Sequence, residues 1–408
     1  MINKKSLKNS NKSGAGLKFP AGFLWGAATS AYQVEGEIEN NDWAEAGRQG
    51  RVPKTGLASD HYHRYEDDFQ MAKYLHHNAH RLSLEWSRIE PQAGKFSEET
   101  LEHYHQVLNF LKDNGFATFV TLHHFTNPLW FSSRGGWANP QASQYFGNYV
   151  AKVTQSLGHL VDYWVTVNEP CLYAGLSYGR GQWPPFHRSY LKAWRVYKLL
   201  LAAHNRAYEV IHQYFPKALV GFAQNIAYNH GGLAAKLSDY LEIDFPYRQT
   251  NNDFLGLNHY FHRKYRLGFR MEREGAQTDW KIFPIYPRAI YEVLRKLKKY
   301  NLPIYITENG LPDARDLKRE SYIKSYLSEV HHAIRDGAQV RGYFHWSLLD
   351  NFEWAEGYKY RFGLIAVDFK TQKRTIRESA YAYSHICQDN GLPPLNLPLS
   401  KGEKERGL

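Results

Sequence analysis

Cysteine is scarce in this chain of 408 residues. The two present, Cys171 and Cys387, exclude a disulfide framework of the kind that staples small secreted domains. Long apolar runs are missing too: no stretch approaches the roughly 18 residues that a membrane helix needs. The opening segment, MINKKSLKNSNKSGAGLK, is basic but has no apolar core of an export signal. No Pro- or Ser-rich linker and no repeat divides the chain. The net charge is +11, yet no recognised nucleic-acid module accompanies it. Part of that charge is five lysines without an acid in the first 18 residues, and part is five Lys/Arg against two Glu over 261–274. The second group reads as a solvated loop. These absences predict a cytoplasmic protein with no membrane and no nucleic-acid partner.

What is present is apolar and aromatic: 43% hydrophobic residues and 15% Phe, Trp and Tyr, ample for a large core. Eight short apolar runs recur, at 23–29, 79–86, 117–125, 163–169, 218–225, 253–260, 303–309 and 340–348. Helix-like stretches alternate with them, at 62–77, 99–114, 141–159, 190–214, 231–241, 285–300, 319–336 and 377–388. The run SEETLEHYHQVLNFLKDNG shows the grammar: Ser97 to cap, acids in the first turn, apolar residues at helical spacing and Gly115 to stop. Eight alternating units predict an α/β fold, a single (β/α)8 TIM barrel over 18–390. Tails are expected at 1–17 and 391–408.

In such a barrel the C-terminal strand ends form the active face. The run PIYITENG ends a buried strand on Glu308, and YWVTVNEP ends another on Glu169. Strand counting puts them on the fourth and seventh strands, so two carboxylates face each other across the mouth. Facing carboxylates are what glycoside cleavage uses: one protonates the leaving oxygen, the other attacks the anomeric carbon or activates water. Other strand ends are polar as well. Gln33 follows the first, Arg81 lies in the second, His123 and His124 end the third, and Asn258, His259 and Tyr260 end the sixth. After the eighth come Trp346, Glu353 and Trp354. Amide, imidazole, carboxylate and indole groups bind sugar hydroxyls and faces.

These motifs resemble those of glycoside hydrolase family 1, the β-glucosidase family. FPAGFLWGAATSAYQVEG, RLSLEWSRIEP, TLHHFTNPLWF, TVNEP, DFLGLNHY, YITENG and GYFHWSLLDNFEWAEGYKYRFGLIAVD follow the family order from Phe19 to Ser384. The resemblance implies a retaining β-glycosidase, foremost a β-glucosidase, acting on terminal non-reducing β-D-glucosyl residues without cofactor or metal. It implies Glu169 as acid/base and Glu308 as nucleophile, with Arg81, Tyr260 and Asn258 supporting them. Gln33, His124, Asn168, Trp346, Glu353, Trp354 and Phe362 would bind the sugar. A β-galactosidase, β-fucosidase or broad exo-β-glycosidase fits the same residues, because Gln33 and Glu353 suit gluco and galacto hydroxyls alike. A transglycosylase, or a catalytically weak sugar-binding protein, is the remaining alternative. Glu353 stands where the phospho-glycosidase branch carries a phosphate-binding Ser, and a carboxylate repels phosphate.

The chain departs from the family at Phe125 (often Trp), Asn127 (usually Leu) and His259 (often Tyr). Only 27 residues separate Asn225 from Asp253, so the fifth βα unit is expected to be shortened and the mouth more open there. The histidines of 61–63 and 76–80 fall at helix ends and read as surface or capping groups, not metal ligands. Cys171 reads as a buried filler.

Overall fold

A computed structural model describes residues 16–266, 270–272 and 274–394. Sixteen elements carry the alternation. Strand β1 (Leu24–Ala28) leads to helix α1 (His61–Tyr74), and β2 (Ala79–Ser83) to α2 (Glu98–Asp113). Next come β3 (Ala117–His123), α3 (Ala142–Leu157), β4 (Tyr163–Asn168) and α4 (Tyr190–Tyr214). The second half holds β5 (Leu219–Asn225), α5 (Gly232–Asp239), β6 (Leu255–Asn258) and α6 (Arg288–Leu297). The last units are β7 (Ile304–Asn309), α7 (Arg319–Arg335), β8 (Val340–Trp346) and α8 (Glu378–Asp389). The eight strands close into one barrel, with β8 paired back to β1. All eight barrel pairings are parallel. The expected α/β barrel is therefore the fold, and each strand lies within its apolar run.

The strands read as continuous apolar runs because both of their faces are covered. One buried layer lies between barrel and helices. The other fills the barrel, and it is unusually aromatic. Phe119 stacks on Tyr163 at 4.1 Å and meets Phe344 at 4.6 Å and Tyr305 at 5.1 Å, while Phe254 meets Tyr305 edge-on at 5.4 Å. Branched aliphatic residues usually fill this space. Here Ala28, Ala79 and Ala223 leave room for the rings. The rings form a dry floor beneath the strand ends.

Helix α2 follows its sequence grammar. Ser97 Oγ accepts from the Thr100 amide at 3.1 Å, and Glu98 and Glu99 occupy the positive end of the helix dipole. Leu101, Tyr104, Val107, Leu108 and Leu111 form the buried stripe. Each such side chain contributes about 1.5–3 kcal/mol by leaving water.

Several expectations need correction. The body does not stop at 18 and 390. Leu17–Lys18 pairs antiparallel with Gly391–Leu392, and Trp25 Nε1 donates to Asn390 Oδ1 at 2.9 Å, so backbone pairing adds these few residues to the folded body; the rest of the expected tails, 1–15 and 395–408, lies outside the described residues. Segment 261–274 is not a plain loop: His262–Arg266 pairs with Arg270–Glu272 and with Tyr228–His230. The histidines divide. His63 is exposed and bonds Asp60, but His61, His77 and His80 are buried. His61 Nδ1 lies 2.8 Å from Asp68 and His80 Nε2 lies 3.1 Å from Thr29. No group of three or more potential metal-ligating side chains is gathered among the described residues.

Candidate active site

The polar strand ends converge at one mouth. Glu308 is buried near the end of β7. Arg81, from β2, reaches it with Nη1 at 2.5 Å from Oε1. The Tyr260 hydroxyl, just past β6, donates to Oε2 at 2.6 Å. Each carboxylate oxygen thus has its own strong donor. Arg81 is itself fixed on several sides: Nε donates to Thr121, Nη1 to the Thr307 carbonyl, and Nη2 to Asn168 Oδ1 at 2.7 Å. The next residue but one, Gly310, is required by contact: a Cβ there would overlap the Trp346 carbonyl. That explains the glycine of TENG.

Glu169 follows β4 in left-handed backbone, φ 46°, a conformation that costs a non-glycine residue about 1–3 kcal/mol. Its Oε1 accepts from Asn258 at 2.7 Å and from Asn225 at 3.2 Å. Both donors are neutral amides. The Thr307 hydroxyl donates to Asn258 Oδ1 at 2.7 Å and so sets which way that amide faces.

This asymmetry separates the two acids. Burial pushes the Glu169 carboxyl up to about 8, with the Glu308 charge adding to the rise. Burial raises Glu308 as well, but the Arg81 charge and the Tyr260 hydrogen bond oppose it. Of the two, Glu169 is therefore the one that holds a proton more firmly. Burial, then the charges of Glu308 and Glu169, push Glu353 to about 8. Its Oε2 is buried and has no hydrogen-bond partner among the described residues.

The mouth is a cavity of about 730 Å³. Gln33, His124, Asn168, Glu169, Tyr260, Glu308, Trp346, Glu353, Trp354 and Phe362 all line it. Arg81 and Asn258 are not among the lining residues but bond to the carboxylates, Arg81 to Glu308 and Asn258 to Glu169. The structure thus brings together the side chains expected to form the site, but not every polar strand end: His123 Nε2 lies 3.1 Å from Asn127 Oδ1 and is no part of the cavity lining. Asn168 Nδ2 donates to His124 Nε2 at 3.2 Å. Burial, then Arg81, hold that imidazole far below its ordinary value, so it is neutral. The His124 ring is nearly parallel to Trp346 and Trp354. Gln33 is already engaged: Ser30 donates to its oxygen, and its amide donates to Phe352 O at 2.7 Å.

Other lining residues were not anticipated. Asn225 ends β5 just as Asn258 ends β6, so the strand-end rule would have found it. Phe261, Arg263 and Tyr265 bring the basic hairpin to the cavity, which a solvated loop would not do. Cys171 also lines it and is half-buried, not a core filler. Burial pushes its thiol up to about 12, so it is no nucleophile. Of the departures, Phe125 lines the wall, and Asn127 is buried, donating to Asp42 at 2.8 Å and to the Tyr173 hydroxyl at 2.9 Å. The buried His259 ring lies 2.8 Å from the Ile226 carbonyl.

Comparison with known proteins agrees with this geometry. The family profile described as Glycosyl hydrolase family 1 matches residues 16–241 and 238–392. Beta-glucosidase A of Thermotoga maritima is 33% identical over 444 positions, covering 92% of this chain and 99% of the relative. That alignment is longer than the 408 residues here, so the relative carries segments without a counterpart. A beta-galactosidase of Pyrococcus woesei is 29% identical, covering 92% of this chain and 98% of the relative. The solved beta-glycosidase from Pyrococcus horikoshii superposes with a TM-score of 0.88 at 36% identity, covering 95% of this chain and 100% of that one. On its sequence, its barrel and its paired carboxylates, the chain belongs to glycosyl hydrolase family 1.

Proposed function

We propose that this chain is a retaining β-glycosidase that hydrolyses terminal non-reducing β-D-glucosyl residues by double displacement. One observation carries the reading: Glu308 is gripped by a guanidinium and a phenol, whereas Glu169 meets only neutral amides. Glu308 Oε attacks the anomeric carbon while Glu169 gives its proton to the departing oxygen. The glycosidic bond breaks as the ester to Glu308 forms. Glu308 has then lost its charge, the repulsion on Glu169 falls, and Glu169 becomes the base. It takes a proton from water, the water oxygen displaces Glu308, and the enzyme returns to its first state. Arg81 and Tyr260 receive the returning negative charge.

Gln33, His124, Asn168 and Glu353 would bind the sugar hydroxyls, with Trp346, Trp354 and Phe362 as apolar walls. The unpartnered Glu353 oxygen supports this role, since a hydroxyl would satisfy it. A galactosyl preference is the second reading, supported by the galactosidase relative. We also infer that the segments missing relative to the Thermotoga protein fall between β5 and β6. There α5 is followed by single turns at Tyr240–Asp244 and Phe245–Gln249 before β6 begins.

The test is hydrolysis of an aryl β-D-glucoside and its galacto epimer by the purified protein and by Glu308→Gln. The wild type should turn over the glucoside faster, and the variant should lose at least about 10³-fold in kcat. A folded wild-type protein inert on both epimers would overturn the assignment.

A further inference from the structure

Two buried amides beside the mouth are tied to each other, and backbone carbonyls decide which way each one faces. Gln33 stands just past β1 and Asn351 just past β8. Gln33 and Phe352 exchange two bonds: the Phe352 N–H donates to the Gln33 carbonyl at 3.1 Å, and Gln33 Nε2 donates to the Phe352 carbonyl at 2.7 Å. A carbonyl only accepts, so the nitrogen of the Gln33 amide must be the atom that meets it. The same rule orients Asn351. Its Nδ2 donates to the Leu349 carbonyl at 2.9 Å and to Ser347 Oγ at 2.8 Å, which turns Oδ1 toward Gln33. Gln33 Nε2 donates to that oxygen at 3.1 Å.

The two N–H groups of Gln33 therefore have two acceptors, both belonging to the protein. Its Oε1 accepts from Ser30 Oγ at 2.7 Å. An amide oxygen carries two lone pairs, and Ser30 uses one. What Gln33 has left for a ligand is the other. The arrangement does not depend on Gln33 alone. Asp350, directly before Asn351, accepts from Arg377 through both carboxylate oxygens at 2.8 Å, and its carbonyl accepts from Ser59 Oγ at 2.8 Å. The loop that carries Asn351 is thus held from the far side as well.

We propose that Asn351 is a positioning residue that commits Gln33 to accepting, so that a glycoside must offer Gln33 a hydroxyl that donates. This rests on the reading of Gln33 as a sugar ligand given above. The class of ligand follows from it. A hydroxyl both donates and accepts, whereas fluorine in its place never donates. A free Gln33 N–H would tolerate fluorine; a lone pair on Oε1 repels it.

Titration of tryptophan emission with methyl β-D-glucoside, and with its deoxy and deoxyfluoro analogues at C2, C3, C4 and C6, tests this by binding alone. Comparison with Gln33→Ala locates the hydroxyl that Gln33 reads, as the one whose removal no longer weakens binding. At that carbon the wild type should bind the deoxy analogue about threefold to tenfold more weakly than the parent, and the fluoro analogue no better than the deoxy one. Asn351→Ala frees a Gln33 N–H, while Ser347 Oγ still donates to the Leu349 carbonyl at 2.7 Å. In that variant the fluoro analogue should bind about twofold or more tighter than the deoxy one. Asn351→Ser, whose short hydroxyl stays on the Leu349 carbonyl, takes its place if the alanine variant does not fold. Ser30→Ala frees only the oxygen and should keep the wild-type order. A wild type that prefers fluorine to hydrogen at that carbon would overturn the proposal. So would the wild-type order in the Asn351 variants, a reversed order in Ser30→Ala, or no binding of any glucoside. The expected orders in a protein that hydrolyses no glycoside would leave the proposal standing and sink the hydrolase reading alone.

Discussion

A proton on one of two charge-coupled carboxyls ties the chemistry to pH. Glu169 must be protonated when the glycosidic oxygen departs, and it must later lose that proton to act as base. Burial and the Glu308 charge hold it near 8, so the acid form is present below that value and is lost as pH rises through it. The rate kcat/KM on an aryl glucoside should therefore fall on an alkaline limb centred near 8. Glu169→Gln should remove that limb and cut the rate by about 10²–10⁴-fold. A pH profile of both proteins decides it; a limb that persists in the variant would belong to another group. The donors around each acid explain why two glutamates with similar sequence surroundings carry unlike charges. Nothing in TVNEP or YITENG states that one will face Arg81 and the other two asparagines.

Single elements follow local rules that a single substitution can probe. Ser97 supplies one hydrogen bond to an otherwise unpaired amide at the start of α2. Ser97→Ala should lower stability by about 1 kcal/mol, and Ser97→Asp should restore most of it; denaturant unfolding of the three proteins measures this. The barrel elements were legible in the sequence for the same reason that this cap was. A strand covered on both faces must be apolar throughout, and a helix on its outside must be apolar on one stripe. The strand-end polar residues then stood out as exceptions. What stayed hidden depends on distant partners. His80 looks like a surface group because its partner, Thr29, is supplied by the preceding strand unit, and His61 because the Asp68 it meets two turns along the helix is buried by a remote residue, Arg374. The strand His262–Arg266 reads as a solvated loop because its pairing partner, Tyr228–His230, is supplied by the preceding unit. The antiparallel pair of Leu17–Lys18 with Gly391–Leu392 is too short to leave any period.

At the scale of the whole molecule, buried ion pairs tie remote parts of the chain. Asp68 on α1 is fully buried; His61 Nδ1 lies 2.8 Å away, and Arg374 donates to it at 2.9 Å and 3.1 Å. Burial alone would raise this carboxyl, but the bonds from His61 and Arg374 outweigh burial and hold it below its ordinary value. A lowered carboxyl stabilises the fold above the unfolded value, about 3.9, and loses that contribution as pH falls through the lower folded one. Asp68→Asn leaves Arg374 facing an uncharged amide and should cost about 3–5 kcal/mol near neutral pH. The difference from wild type should narrow as acid protonates Asp68 in both states. Urea unfolding at pH 7 and at pH about 3 would show it; an unchanged gap would exclude the charge as the source.

The seam between Leu17–Lys18 and Gly391–Leu392 has one more consequence. It brings the two edges of the folded body side by side beneath a barrel that is already a ring, so the order in which the eight units are threaded is an accident of where the polypeptide is cut. A short bridge across that seam, with the chain reopened at the exposed turn around Gly50, would leave every barrel pairing in place. The carboxylate pair belongs to the ring and not to the direction in which it is read.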